Sequence, residues 1–203
     1  MISVSALLEL SKDVAVTAGR RLLENSNSQH KDFTNSIELP KEVKAVADIF
    51  LEKEILNRLV PTGLPILSEE SGYIPGERET DLWFIVDPLD GTYNFVKGLG
   101  PSAISIALWR DRTPIFGVVY SLEEQKMFWG GRDFGSFCNG KELSVSDSDS
   151  KDQASICTGF PVRFDVTDES IMQKYWSCIK SFSKVRMIGA ASISLLYVSS
   201  GSA

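Results

Sequence analysis

Two carboxylates three residues apart at the end of an apolar run are the strongest chemical feature of this sequence. Trp83 to Gly98 reads WFIVDPLDGTYNFVKG. The apolar residues predict a buried strand that delivers Asp87 at its C-terminal end, and Pro88 stiffens the turn after it. Asp90 can then reach the same small volume as Asp87, and Leu89 between them offers its backbone carbonyl. Gly91 permits close approach of the backbone to a ligand. Thr92 adds a hydroxyl, and the N–H groups of Gly91 and Thr92 suit an anion if a helix begins there. Carboxylates, a carbonyl and a hydroxyl are hard oxygen donors, which favour Mg²⁺ or Mn²⁺ over zinc. The segment therefore predicts a site for a metal-bound phosphate. The plain alternative is an acidic turn that ends a strand.

Other chemistries find less support. Cys138, Cys157 and Cys178 are widely spaced and form no CxxC pair, so buried free thiols are expected rather than a zinc site or a disulfide framework. The single histidine, His30, lies in the polar stretch Asn25 to Ser36 and reads as a solvated loop residue. One histidine also leaves little material for a Ser-His-Asp triad. The acids of Ser144 to Asp152 alternate, but no glycine or closing glutamate follows at calcium-loop spacing, so a solvated loop is expected.

Stepping outward, Val4, Leu7, Leu8, Val14, Ala15, Ala18 and Leu22 predict an amphipathic helix. A second helix is expected over Val43 to Leu59, with Val46, Phe50, Ile55 and Leu59 inward, ended by Pro61 and Gly63. Strands are expected at Leu64 to Leu67, Leu82 to Val86, Ile104 to Leu108, Thr113 to Ser121, Lys126 to Trp129 and Phe134 to Cys138, the later ones as an antiparallel meander with a turn at Asn139-Gly140. Ala154 to Thr158 and Lys184 to Met187 read as strands. Thr167 should cap a helix whose buried stripe is Ile171, Tyr175, Ile179 and Phe182, and Ala190 to Ser199 reads as a helix of small residues.

The 203 residues suit one domain with a sizeable core. Hydrophobic residues at 43% and charged residues at 24% exclude a wholly disordered chain. No apolar run reaches the length of a membrane span, and the first residues lack the pattern of a secretory signal, so a cytoplasmic protein away from membranes is expected. The net charge is −6, and residues 1–100 hold the whole excess, with 10 Lys/Arg against 16 Asp/Glu. Such a chain is a poor nonspecific binder of nucleic acid, whereas clustered carboxylates can hold divalent cations.

At this point the residues resemble a known family. DPLDGTYNFVKG is similar to the D-P-[IL]-D-G-T-x-N-F signature of the inositol monophosphatase family of metal-dependent phosphatases. Ser68-Glu69-Glu70-Ser71 resembles its G-E-E-S element, and Val46-Ala47-Asp48 followed by Glu52 resembles its A-D-x-x-x-E helix. Phe116 to Tyr120, Gly135 to Gly140, Gly159-Phe160-Pro161 and Gly189 to Ser192 continue the likeness in order. The resemblance implies an α/β fold, layered αβαβα, with a largely antiparallel N-terminal sheet. It implies that Glu69, Asp87 and the Leu89 carbonyl hold a first metal ion and that Asp87 and Asp90 hold a second. Glu69, Thr92 and Asp48 would be catalytic, activating a water. Asp90, Gly91, Thr92 and Ala191 would bind substrate. Two or three Mg²⁺ ions, replaceable by Mn²⁺, sensitivity to lithium and a homodimer are implied as well.

Three local departures are Ala45 for a usual Thr, Ser68 for Gly and Tyr93 for a second Thr; none removes a proposed ligand. A larger one is the absence of the family's W-D-x-A-A-G element, whose aspartate completes the second metal site. A single domain over residues 1–203 lacking its C-terminal segment, with an incomplete C-terminal sheet, is thus expected. The function implied is Mg²⁺-dependent hydrolysis of a small phosphate monoester, with inositol monophosphate first. The alternatives are a 3′(2′),5′-bisphosphate nucleotidase and a non-catalytic relative that only binds metal and phosphate.

Overall fold

A computed structural model describes residues 2–27, 36–39, 42–160 and 165–203. His30 and Pro161 lie outside the described residues. Helix α1 (Val4–Asn27) buries Leu7, Leu8, Val14, Ala15, Ala18 and Leu22 on one stripe. It runs further than its apolar periodicity predicts. Asn25 and Ser26 were expected to open a loop, but their side chains donate to the carbonyls of Arg21 and Leu23 and continue the last turn.

Strands β1 (Ser36–Leu39) and β2 (Glu42–Ala45) pair antiparallel, and α2 (Val46–Leu59) follows at once. The helix therefore starts three residues later than expected. Its start is set by Asp48, whose carboxylate accepts the Ala45 N–H at 2.8 Å and satisfies a donor that the first turn leaves unpaired. Ile55 and Leu59 point inward as expected, joined by Ala47 and Leu51, and Phe50 packs half-buried against the same core, while Val46 is exposed.

Eight strands form the main sheet, ordered β10-β9-β8-β7-β6-β5-β3-β4. They are β3 (Ile66–Ser68), β4 (Gly72–Ile74), β5 (Leu82–Asp90), β6 (Ala103–Arg110), β7 (Thr113–Ser121), β8 (Lys126–Gly131), β9 (Gly135–Cys138) and β10 (Lys141–Glu142). Strands β7 to β9 form the expected antiparallel meander, which extends through β6 to β5 on one side and to β10 on the other, and β3 joins β5 in parallel. Strands β4 and β10 are too short to leave a pattern in sequence. Asn139 and Gly140 both take positive φ between β9 and β10, as a tight two-residue hairpin turn requires.

Alternation along the strands divides the sheet's faces. Phe84, Val86, Ile104, Ile106, Leu108, Phe116, Val118 and Tyr120 join the residues of α1 and α2 in one core. The helix lies close: a Cβ on Gly19 would stand 2.6 Å from the Tyr120 ring, so any larger residue there would push α1 off the sheet. On the opposite face Ala103 packs with Ala190 and Ile193, which brings in α5 (Ala191–Ser199).

The remaining elements are β11 (Ser155–Cys157) and β12 (Lys184–Arg186), paired in parallel, and α4 (Glu169–Ile179) between them; α3 (Thr92–Lys97) follows β5. Asp168, not Thr167, caps α4, because its carboxylate accepts the N–H groups of Ser170 and Ile171. The expected stripe of α4 is not a core: only Ile179 is buried, and Ile171 is exposed. Cys138 and Cys157 are half-buried, but Cys178 is exposed, contrary to expectation; all three are free thiols. The helices and the mostly antiparallel sheet make a mixed α/β fold.

Candidate active site

Parallel pairing sets up the site. Ser68 of β3 stands beside Val86 of β5, and the Glu69 N–H donates to the Val86 carbonyl at 3.0 Å. Glu69 is thereby brought next to Asp87 although eighteen residues separate them in sequence. One residue later the ladder is interrupted. Asp87 pairs with Ser105 and Asp90 with Ala103, so β5 has one residue more than its partner between those points. Pro88 has no N–H to give, and the extra residue bulges here, which re-aims the side chains that follow. Gly91 then takes φ 88°, and a Cβ on it would lie 3.1 Å from both Ala190 Cβ and the Pro101 carbonyl. Only glycine fits both the conformation and the space.

Asp87 is half-buried with carboxylates as its neighbours. Burial is the main reason its pKa is pushed up to about 8, and the charge of Glu69, a hydrogen bond with Glu69 and the charge of Asp90 add to it. Its Oδ1 accepts the Leu89 N–H at 3.1 Å. Behind this pair, the Asp48 Oδ1 accepts the Thr92 hydroxyl at 2.9 Å, while the Leu89 carbonyl lies 3.0 Å from the same hydroxyl. One proton cannot fully serve both acceptors. Asp48 is buried, which raises its pKa against the lowering pull of the Ala45 N–H and Thr92.

Asp90 acts on Asp87 through its charge, but its own hydrogen bonds lead elsewhere. Its Oδ1 accepts the Ala191 N–H at 3.0 Å, and its Oδ2 accepts both the Ser192 N–H at 2.6 Å and the Ser192 hydroxyl. Asp90 thus caps the first turn of α5, where a negative charge is favourable. Ala191, expected beside substrate, is exposed at that same helix start.

Two further residues shape the site in ways the sequence reading did not assign. Glu52, buried on α2, accepts the Ser68 hydroxyl, the Ser71 N–H at 2.9 Å and the Ser71 hydroxyl at 2.7 Å, and so fixes the loop that carries Glu69. Ser68, a departure from the family pattern, is one of its donors. Asn94, buried on α3, donates to the carbonyls of Pro101 at 3.0 Å and Ile188 at 2.8 Å, which fastens the approach to α5 onto the segment after β5. Both residues stand inside the motifs quoted above; only their partners, distant in sequence, were out of reach.

Among the described residues, no three Asp, Glu, His or Cys side chains come together closely enough to hold an ion by themselves. The donors at the centre are two carboxylates, Glu69 and Asp87, with the Leu89 carbonyl. Mg²⁺ commonly binds through one or two carboxylates and keeps several waters, so this oxygen set fits it. The crowding of Asp87 by negative neighbours favours a cation in the same place.

Residues 3–203 match the sequence pattern of the inositol monophosphatase family. A fructose-1,6-bisphosphatase/inositol-1-monophosphatase of Aquifex aeolicus is 29% identical over 99% of this chain and 76% of its own length. The Nus factor SuhB of Pseudomonas aeruginosa is 33% identical over 84% of this chain and 61% of its own length. The crystal structure of extragenic suppressor protein suhB from Bartonella henselae superposes with a TM-score of 0.84, at 30% identity, over 97% of this chain and 75% of that one.

Proposed function

This chain belongs to the inositol monophosphatase family, and on that premise we propose that it hydrolyses a small phosphate monoester with Mg²⁺, inositol monophosphate being the first candidate. The observation that carries this reading is the meeting of Glu69 and Asp87 at the ends of β3 and β5, beside the Asp48–Thr92 pair. Glu69, Asp87 and the Leu89 carbonyl would hold one ion, and Asp87 with Asp90 a second. When bound, Mg²⁺ supplies positive charge that offsets the phosphate dianion and lowers the pKa of water.

The chain's own groups do the rest. Asp48 accepts a hydrogen bond from the Thr92 hydroxyl, which turns that hydroxyl's lone pairs toward an attacking water. Glu69 is exposed at the same point and can orient that water or take its proton. The N–H groups of Gly91 and Thr92 hold the phosphate, and Ala191 with Asp90 borders the sugar or inositol. Residues 3–203 fall within one such domain, which works in the cytoplasm and as a homodimer. No helix among the described residues is long and apolar enough to cross a membrane. Exposed Trp176, Met187 and Leu195 offer apolar surface for pairing.

One observation favours a second reading, a metal- and phosphate-binding protein without turnover: both carboxylate oxygens of Asp90 already accept from α5. The test is phosphate release with Mg²⁺ from inositol 1-phosphate, fructose 1,6-bisphosphate and adenosine 3′,5′-bisphosphate, beside a calorimetric Mg²⁺ titration. Release, fastest from inositol 1-phosphate, is expected. Mg²⁺ binding with no release from any of the three would replace hydrolysis by the second reading. Absence of both would overturn the two together.

A further inference from the structure

Glu69 is held from behind. Its neighbour Ser68, 2% exposed at the end of β3, donates its hydroxyl to Glu52 Oε1. Two residues beyond Glu69, Ser71 donates its N–H to the same oxygen at 2.9 Å and its hydroxyl to Oε2 at 2.7 Å. Glu52 is itself buried on α2, a helix seated in the deep core through Ala47, Leu51, Ile55 and Leu59. Both of its carboxylate oxygens are thus engaged by the two ends of residues 68–71. Between those ends the Glu69 N–H is tied to the Val86 carbonyl at 3.0 Å. Of the three donors to Glu52 only the Ser71 N–H belongs to the backbone, and the two hydroxyls can be removed without altering the chain's course.

This grip opposes a repulsion. Parallel pairing of β3 on β5 brings the Glu69 carboxylate beside that of Asp87, and like charges so placed push apart. A turn free to yield would swing Glu69 outward, and an arriving cation would have to bring it back at a cost in conformational entropy. Held at both ends by a charged acceptor, whose hydrogen bonds are the strong ones, the turn keeps Glu69 at Asp87 before any ion arrives. Rigidity also discriminates between ions. Mg²⁺ demands near-ideal octahedral geometry, whereas Ca²⁺ accepts a flexible one. Loosening the turn therefore costs Mg²⁺ more than Ca²⁺.

We propose that Glu52, acting through Ser68 and Ser71, is a positioning residue that sets Mg²⁺ affinity, and the preference for Mg²⁺ over Ca²⁺, without being a ligand of the ion. This rests on the reading that Glu69 and Asp87 hold Mg²⁺. The variants are Ser71→Ala, at an exposed position where the fold is not endangered, Ser71→Thr, which keeps the hydroxyl, and Glu52→Gln. In calorimetric titrations, Ser71→Ala should weaken Mg²⁺ binding roughly three- to tenfold, the scale of one hydrogen bond. Glu52→Gln should weaken it roughly 10–100-fold, as loss of an outer support does. Ca²⁺ binding should fall less in each, and Ser71→Thr should keep the parent's values. With no metal present, hydrogen exchange at the Glu69 amide should speed up in Ser71→Ala and Glu52→Gln while the amides of β6 and β7 keep their protection. Faster exchange with unchanged Mg²⁺ affinity would overturn the proposal, because a contact that only steadies the turn gives that result. Equal losses for the two ions, or unchanged exchange, would overturn it too. A parent that binds Mg²⁺ with variants that bind it equally well sinks this inference alone. A parent that binds no Mg²⁺ sinks it together with the metal reading.

Discussion

The part of the chain up to β10 and the part from β11 onward are built differently. In the first, α1 and α2 lie on one face of the eight-stranded sheet, and large side chains such as Phe84, Phe116, Leu51 and Ile106 are wholly buried. In the second, Ile179 is the buried residue of α4, while Trp176, Met187 and Leu195 remain exposed. The second part is attached to the first through polar clasps, Asp90 to α5 and Asn94 to Ile188, and through the small cluster of Ala103, Ala190 and Ile193. The contrast teaches where precision comes from. The carboxylates proposed to hold metal stand on β5 or directly after β3, strands clamped by a deep core, whereas the proposed substrate contact at Ala191 rides on an element tied down by hydrogen bonds.

Five measurements break or sharpen this contrast. Asp87→Asn should abolish Mg²⁺ binding in calorimetry, because Asp87 is the residue shared by both proposed ion positions; unchanged affinity would remove the metal assignment from the first part. Thr92→Ala should lower kcat by roughly 10²–10⁴ in phosphate release with Mg²⁺ binding nearly intact, the scale of an orienting or proton-transfer contribution. Phe84→Ala should cost about 3–5 kcal/mol in urea unfolding through the cavity it leaves in the deep core. Asn94→Ala removes the donor to two carbonyls and should cost about 1–3 kcal/mol, with hydrogen exchange rising first in α5 if the clasp works as described. Trp176→Ala should change monomer stability by no more than about 0.5 kcal/mol, as exposed positions do; a large loss would mean that the second part has a core of its own.

Much of the first part is legible in the sequence. Alternation marked the meander, helical spacing marked α1, and the DPLDGT segment drew attention to Asp87 and Asp90. What failed did so for local reasons. The start of α2 depends on a hydrogen bond from Ala45 to Asp48 that periodicity does not register, and Val46 at that start faces outward. The apolar stripe of α4 is no core, because spacing reports amphipathicity and not what lies opposite.

By itself, then, the sequence determined the longer elements and the chemical nature of the donors, because strand and helix periods and residue types are local properties, while the short strands β1, β2, β4 and β10 left no period to read. Tertiary structure alone decided which donors meet. Parallel register of β3 on β5 brings Glu69 to Asp87. A bulge after Asp87 and the arrival of α5 turn the Asp90 carboxylate toward the Ala191 and Ser192 amides, a hundred residues along the chain. Pairings of that range depend on how layers pack, and no window of sequence contains both partners.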